Sequence, residues 1–168
     1  IGALHPRKNI LGLIQGFHLF NAGQNGKYRL VLAGRMAWKT DDIKKEVEAS
    51  DDVIYVGMIS ETLKYQLLSK AQAMTYVSWF EGFGIPLLEA MKTGCPVITS
   101  SVTSMPEVAG GAALLADPAV PASISQAMLH ITEDLALRNQ LIAKGYRRVQ
   151  EFSWKASADI IYTELIPK

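Results

Sequence analysis

Apolar positions along the chain fall into two alternating kinds of segment. Short continuous runs, Tyr28 to Ala33, Val53 to Val56, Ala73 to Val77, Pro96 to Thr99 and Ala113 to Leu115, read as buried strands. Between them the spacing turns helical. From Arg7 to Asn21 it places Ile10, Leu13, Ile14, Phe17 and Phe20 on one face and predicts a helix ending near Gly23. Asp41 to Ser50 predicts a polar, outward-facing helix. Ser60 caps a third, with Leu63, Leu67 and Leu68 toward the core. Pro86 opens a fourth that stops at Gly94, and Pro106 and Glu107 open a short helical turn. From Pro121 onward the chain reads as helical, with breaks near Asp134 and Gly145 and a last helix capped by Ser153 and running through Leu165. Ile1 to Leu4 read as the end of a strand that begins outside the chain, so a piece of a longer protein is expected. This alternation predicts an α/β fold, a doubly wound, Rossmann-like parallel sheet with helices on both faces, in one domain over residues 1–168.

In such sheets ligands bind at the carboxyl ends of the strands. The turns at Leu4 to Lys8, Gly34 to Lys39, Gly57 to Thr62, Phe80 to Ile85 and Ser100 to Glu107 all follow strands, so they share one rim. The densest chemistry lies between Ser78 and Ser100. Gly82 and Gly84 let the backbone approach a ligand, and the helix behind them offers free N–H groups and a positive dipole end. That suits a phosphate. Glu81 and Glu89 do not, since a carboxylate repels an anion, and they imply a ligand that also carries hydroxyls. Arg7 and Lys8 are either solvated cations or anion ligands, and their place on the same rim favours the second reading. A plainer account also exists, because strand, glycine turn and helix recur in every doubly wound domain.

Composition narrows the partners. With 17 Lys and Arg against 16 Asp and Glu, the charge is too balanced to favour nucleic acid. The single Cys95 excludes an internal disulfide and suits a reducing cytosol. Its place between Gly94 and Pro96 reads as a buried structural thiol. No apolar run approaches the ~18 residues of a membrane span. His5, His18 and His130 lack metal-ligand spacing, and Asp41-Asp42 and Asp51-Asp52 are adjacent pairs rather than Asp-x-Asp, so no metal is expected. Trp38, Trp79 and Trp154 read as packing residues.

Several spaced motifs run in order along nearly the whole chain. They are Pro6-Arg7-Lys8-Asn9, the Val56-Gly57 turn, EGFGIPLLEAM with seven residues between Glu81 and Glu89, GCPVITS, SMPEVAGGAALLADP, and Phe152-Ser153-Trp154. Together they resemble the carboxyl-terminal, donor-binding domain of the group 1 glycosyltransferases, also called family 4, which is one half of a GT-B fold. The pattern is most similar to bacterial mannosyltransferases. The resemblance implies retaining transfer of a glycosyl group from a nucleoside-diphosphate sugar, GDP-mannose being the favoured one, to an acceptor hydroxyl in polysaccharide biosynthesis.

It also implies roles for residues. Glu81 would lie at the sugar and Lys8 would neutralise the diphosphate, which makes these two the catalytic candidates. Phe83, Gly84 and Ile85 would bind the distal phosphate through their amides, in the turn opened by Gly82, with Arg7 as a second cation. Glu89 would accept from the ribose hydroxyls, and the base would pack against Val56, Gly57, Met58 and Ile59. Trp79 could line the acceptor cleft. As the glycosidic bond breaks, charge grows on the diphosphate, and preorganised N–H groups and a lysine stabilise it. The pattern is broken once: many members carry Gly-Arg shortly before the lysine, and here the pair is Gly2-Ala3, so either Arg7 compensates or the clamp rests on Lys8.

The partners implied are the nucleotide sugar, as substrate and with no further cofactor, and an amino-terminal acceptor domain absent from this chain. The fragment alone is then expected to bind without transfer, in the cytosol, with any membrane association left to the full-length protein. A GT-B-fold sugar-nucleotide epimerase is the alternative enzyme, and EGFGIPLLEAM and the Phe-Ser-Trp ending speak against it. Intact Lys8, Glu81 and Glu89 speak against a non-catalytic nucleotide-binding module. A nicotinamide-binding domain is disfavoured, because no Gly-x-Gly-x-x-Gly follows the first strand.

Overall fold

The structure is a computed structural model that describes residues 1–165. Five parallel strands, β1 (Leu30–Ala33), β2 (Val53–Gly57), β3 (Met74–Tyr76), β4 (Val97–Ser100) and β5 (Leu114–Ala116), alternate with helices α1 (Ile10–Ala22), α2 (Asp41–Glu48), α3 (Glu61–Lys70), α4 (Ile85–Lys92), α5 (Met105–Ala109), α6 (Pro121–Glu133), α7 (Leu135–Gln150) and α8 (Trp154–Leu165). The ladder forms two groups, β1 beside β2 and β3-β4-β5, rather than one unbroken sheet. Residues 2 to 7 join them at the rim. Gly2 and Leu4 donate to Ala33 O and Arg35 O, both at 2.9 Å, while Arg7 O accepts from Trp79 N–H beyond β3, also at 2.9 Å.

Residues along the central strand point alternately to two cores. Ile98, with Val77, packs among Leu13, Ile14 and Phe17 of α1 and Ile124 and Ile131 of α6. Val97, with Met74 and Tyr76, packs against Leu87, Ala90 and Met91 of α4 and Met105 and Val108 of α5. Every residue of β4 is buried. That two-sided burial is why β4 reads as a continuous apolar run.

The structure departs from the sequence reading at several points, and Ile1 to Leu4 form no strand beyond one parallel bridge between Leu4 and Met36. The first helix starts at Ile10, not Arg7, because Pro6–Lys8 forms a separate 3₁₀ turn closed by Asn9 at φ 54°. Helix α7 runs through Gly145 without a break, since there a Cβ would lie 3.2 Å from Met91 Cγ and the glycine serves close packing on α4. On α3 only Leu68 is buried and Leu63 is exposed, because the helix touches the core along a narrow stripe. The tryptophans do not pack in the core: Trp38, Trp79 and Trp154 are 58%, 45% and 83% exposed. Trp154 belongs to α8, which has no buried residue among those described.

Candidate active site

Two turns meet at the carboxyl ends of the strands. The first is Pro6–Lys8, where proline presets φ and His5 Nδ1 accepts from Arg7 N–H at 3.1 Å. Asn9 ends it in the left-handed region, stabilised by its side-chain amide donating to Pro118 O at 2.8 Å. Both basic side chains are thereby turned toward the second, the loop after β3. Lys8 Nζ lies 2.6 Å from Glu81 Oε1, and Arg7 Nη1 lies 3.0 Å from Glu81 Oε2 and 2.6 Å from Phe80 O.

Beneath this pair is Tyr76, the last residue of β3. Its hydroxyl donates to Glu81 Oε1 at 3.0 Å and touches Lys8 Nζ, which also sits 4.5 Å from the centre of the ring. Burial, and then the charge of Glu81, pushes the phenol well above its ordinary pKa, so it stays protonated and donates. For Glu81, burial works to raise the pKa, but its donors, led by Lys8, more than offset this and hold it below the usual carboxylate value. The carboxylate is therefore ionised, 9% exposed and shared by two cations. From the far side, Thr103 Oγ1 accepts from Glu81 N–H at 3.4 Å and Ser104 Oγ donates to Glu81 O at 2.9 Å.

The loop then turns into α4 through Gly84 at φ 96°, where a Cβ would lie 2.5 Å from Met105 Cε, so only glycine suits the position. Helix α4 begins at Ile85 with Pro86 second, one residue earlier than predicted. Among the described residues no protein acceptor takes the amide N–H of Gly82, Phe83, Gly84 or Ile85. These donors, the helix dipole and two cations surround one carboxylate. Such an arrangement offers an incoming anion N–H donors and cationic side chains beside the carboxylate.

Glu89, one turn into α4, does not join this cluster. Its Oε1 receives Lys64 Nζ of α3 at 2.6 Å. Glu89's hydrogen bond is the main reason the Lys64 pKa is raised. The Val56–Ile59 turn precedes the same helix, with Gly57 at φ 70° and Val56 and Met58 42% and 79% exposed, an apolar shelf open to solvent. Three residues escaped the sequence reading: Tyr76, Lys64 and Thr103. Tyr76 left a signal, since a tyrosine on a buried strand needs a partner for its hydroxyl. Lys64 left none, because one lysine on a polar helix face resembles any other. Among the described residues no three of His, Cys, Asp and Glu lie close enough to share a metal ion. Nor is any helix long and apolar enough to cross a membrane.

Known proteins share this arrangement of chain. The family model for glycosyl transferases group 1 matches residues 1–148. The O-antigen chain mannosyltransferase B of Escherichia coli is 40% identical over 159 residues, 92% of this chain and 42% of that protein. Among solved structures, the C-terminal domain of a group 1 glycosyl transferase (LpcC) from Francisella tularensis superposes with a TM-score of 0.76 at 24% identity, covering 90% of this chain and 82% of that one. The sucrose-phosphate synthase of Thermosynechococcus elongatus superposes with a TM-score of 0.81 at 26% identity over 98% of this chain and 44% of that one. The chain belongs to the group 1 glycosyl transferase family, and its fold is that of the carboxyl-terminal half of a GT-B enzyme. It spans less than half the length of the mannosyltransferase it matches at 40% identity.

Proposed function

We propose that this chain is the nucleotide-sugar-binding half of a retaining glycosyltransferase that takes a nucleoside-diphosphate hexose, GDP-mannose first among them, and glycosylates an acceptor hydroxyl in polysaccharide assembly. The observation that carries this reading is the meeting of Arg7, Lys8 and Glu81 beside the free amides of Gly82 to Ile85. A diphosphate placed there finds two cations and a ring of N–H donors, and negative charge growing on it as the glycosidic bond breaks is stabilised without reorganisation. Glu81 faces the positive character that grows at the anomeric carbon. Glu89 and the Val56–Met58 shelf take ribose and base. The mannosyl preference leans on the 40% identity to an O-antigen chain mannosyltransferase. Transfer needs an amino-terminal domain to present the acceptor, so this half binds the sugar nucleotide and does not turn it over.

Thermal-shift measurements on this chain with GDP, UDP, ADP and their hexose conjugates test the proposal. A ligand at 100 times its Kd adds about 2.7 kcal/mol of stability. A shift selective for one base supports the reading and names the nucleotide. No shift with any of them, in this chain and in the full-length protein alike, removes it.

A further inference from the structure

The strongest feature outside the Arg7–Lys8–Glu81 cluster is the ion pair between Lys64 and Glu89. Lys64 lies on the first turn of α3, whose start is fixed by Ser60: the serine Oγ accepts from Leu63 N–H at 3.2 Å, and its carbonyl accepts from Lys64 N–H at 2.9 Å. From there the lysine reaches across to α4 and places Nζ 2.6 Å from Glu89 Oε1. Both side chains are largely shielded, 15% and 22% exposed. A second carboxylate, Glu61, is 3.4 Å from the same Nζ but 82% exposed, so Glu89 is the partner that holds the lysine. Among the described residues no donor takes Glu89 Oε2.

We infer that Lys64 is a positioning residue of the nucleotide site: by pinning one oxygen of Glu89 it leaves the other aimed at the vicinal hydroxyls of the pentose, and so sets the preference for ribose over deoxyribose. This rests on the reading of Glu89 given above. An unpinned glutamate has three rotatable bonds and must be ordered by the ligand itself, which weakens the readout of each hydroxyl. Lys64 supplies that order beforehand. It is charged at neutral pH, and the hydrogen bond to Glu89 raises its pKa further. It also ties the turn at Met58, where the base would rest, to the helix that reads the sugar.

The test uses the full-length protein and calorimetry with GDP and UDP, each beside its 2′-deoxy form. In the wild type the ribonucleotide should bind about tenfold more tightly than its deoxy form, the value of one hydrogen bond to a charged group. Lys64→Met keeps the apolar stem of the side chain and removes its ammonium, and it should shrink that ratio to about twofold, as should Glu89→Gln, with Lys64→Arg restoring it. A plain strut between α3 and α4 would instead lower the melting temperature, or weaken both nucleotides together, with the ratio intact. That outcome overturns the inference. A ratio insensitive to Glu89→Gln removes Glu89 from the ribose, and the inference with it, but leaves the phosphate site standing. Failure of the wild type to bind any of the four removes the nucleotide site as a whole.

Discussion

Replacing Glu81 by Gln should make the protein less stable and at the same time tighten its hold on a nucleoside diphosphate. The carboxylate accepts from Lys8 at 2.6 Å and from Arg7 and Tyr76 at 3.0 Å each. Gln has the same shape, keeps one oxygen for Lys8, and turns an NH₂ toward Arg7. Arg7 is 42% exposed and regains water, but Lys8, at 15%, is left without a counter-ion. Breaking a fully buried pair costs about 3–5 kcal/mol, and partial exposure with the Tyr76 hydroxyl still in place reduces this to about 2 kcal/mol. A diphosphate in the site supplies the missing negative charge, so most of that loss returns as binding. Affinity should rise about tenfold to thirtyfold at 1.4 kcal/mol per factor of ten. On the proposed function, transfer by the full-length protein should nevertheless fall, since the charge proposed to face the anomeric carbon is gone.

Urea titration and calorimetry on the same two proteins read both effects. The stability gap also has a pH signature. Glu81 holds its proton less tightly in the fold than its unfolded value of 4.5, so between the two values the unfolded chain binds more protons and stability rises with pH. The gap between wild type and variant should be full above about pH 4.5 and should close as the pH falls below it. A variant with lost stability and unchanged or weaker diphosphate binding would refute the idea that Glu81 and the phosphates share the same cations.

Three further outcomes are expected. Gly84→Ala forces a side chain into φ 96° and onto Met105 Cε, and should lower stability by about 2 kcal/mol in urea titration while weakening nucleotide binding; an unchanged midpoint would deny that the turn requires glycine. Burial pushes the Cys95 thiol up to about 11 and leaves it 3% exposed, so alkylation at pH 8 should be at least about a hundredfold slower in the native than in the unfolded protein, and rapid stoichiometric labelling of the native chain would contradict this. On the proposed reading Lys8, Arg7 and the loop amides meet the phosphate charge, so EDTA should leave the Kd for the nucleoside diphosphate unchanged, and a tenfold loss would show that a divalent cation takes part.

Much of the fold could be read from the chain because short apolar runs alternate with helically spaced segments, and the central strand β4, buried along its whole length, is the clearest of those runs. Boundaries shifted where one residue type serves two purposes. Gly145 reads as a helix break but exists to let α7 lie against Met91, and Arg7 and Lys8 look like a helix start but sit in a 3₁₀ turn held off by Asn9. The residues of the candidate cluster were legible as types: a glycine turn, a glutamate and two cations on one rim. Their pairing was not. That Glu81 holds Lys8 and Arg7, while Glu89 holds Lys64, depends on side chains 73, 74 and 25 positions apart, which no local spacing encodes. Exposure of the three tryptophans was equally hidden, since an indole on a rim and one in a core have the same neighbours in sequence.

The central claim is that Lys8 and the loop after β3 hold a diphosphate, and calorimetric titration of GDP and UDP into this chain and its Lys8→Met variant tests it most directly. The wild type should bind one of them, and the variant should lose at least about thirtyfold, as expected on removal of a charge-assisted contact from a shielded site. Binding of equal strength in both proteins would contradict the claim and place the nucleotide elsewhere on the molecule.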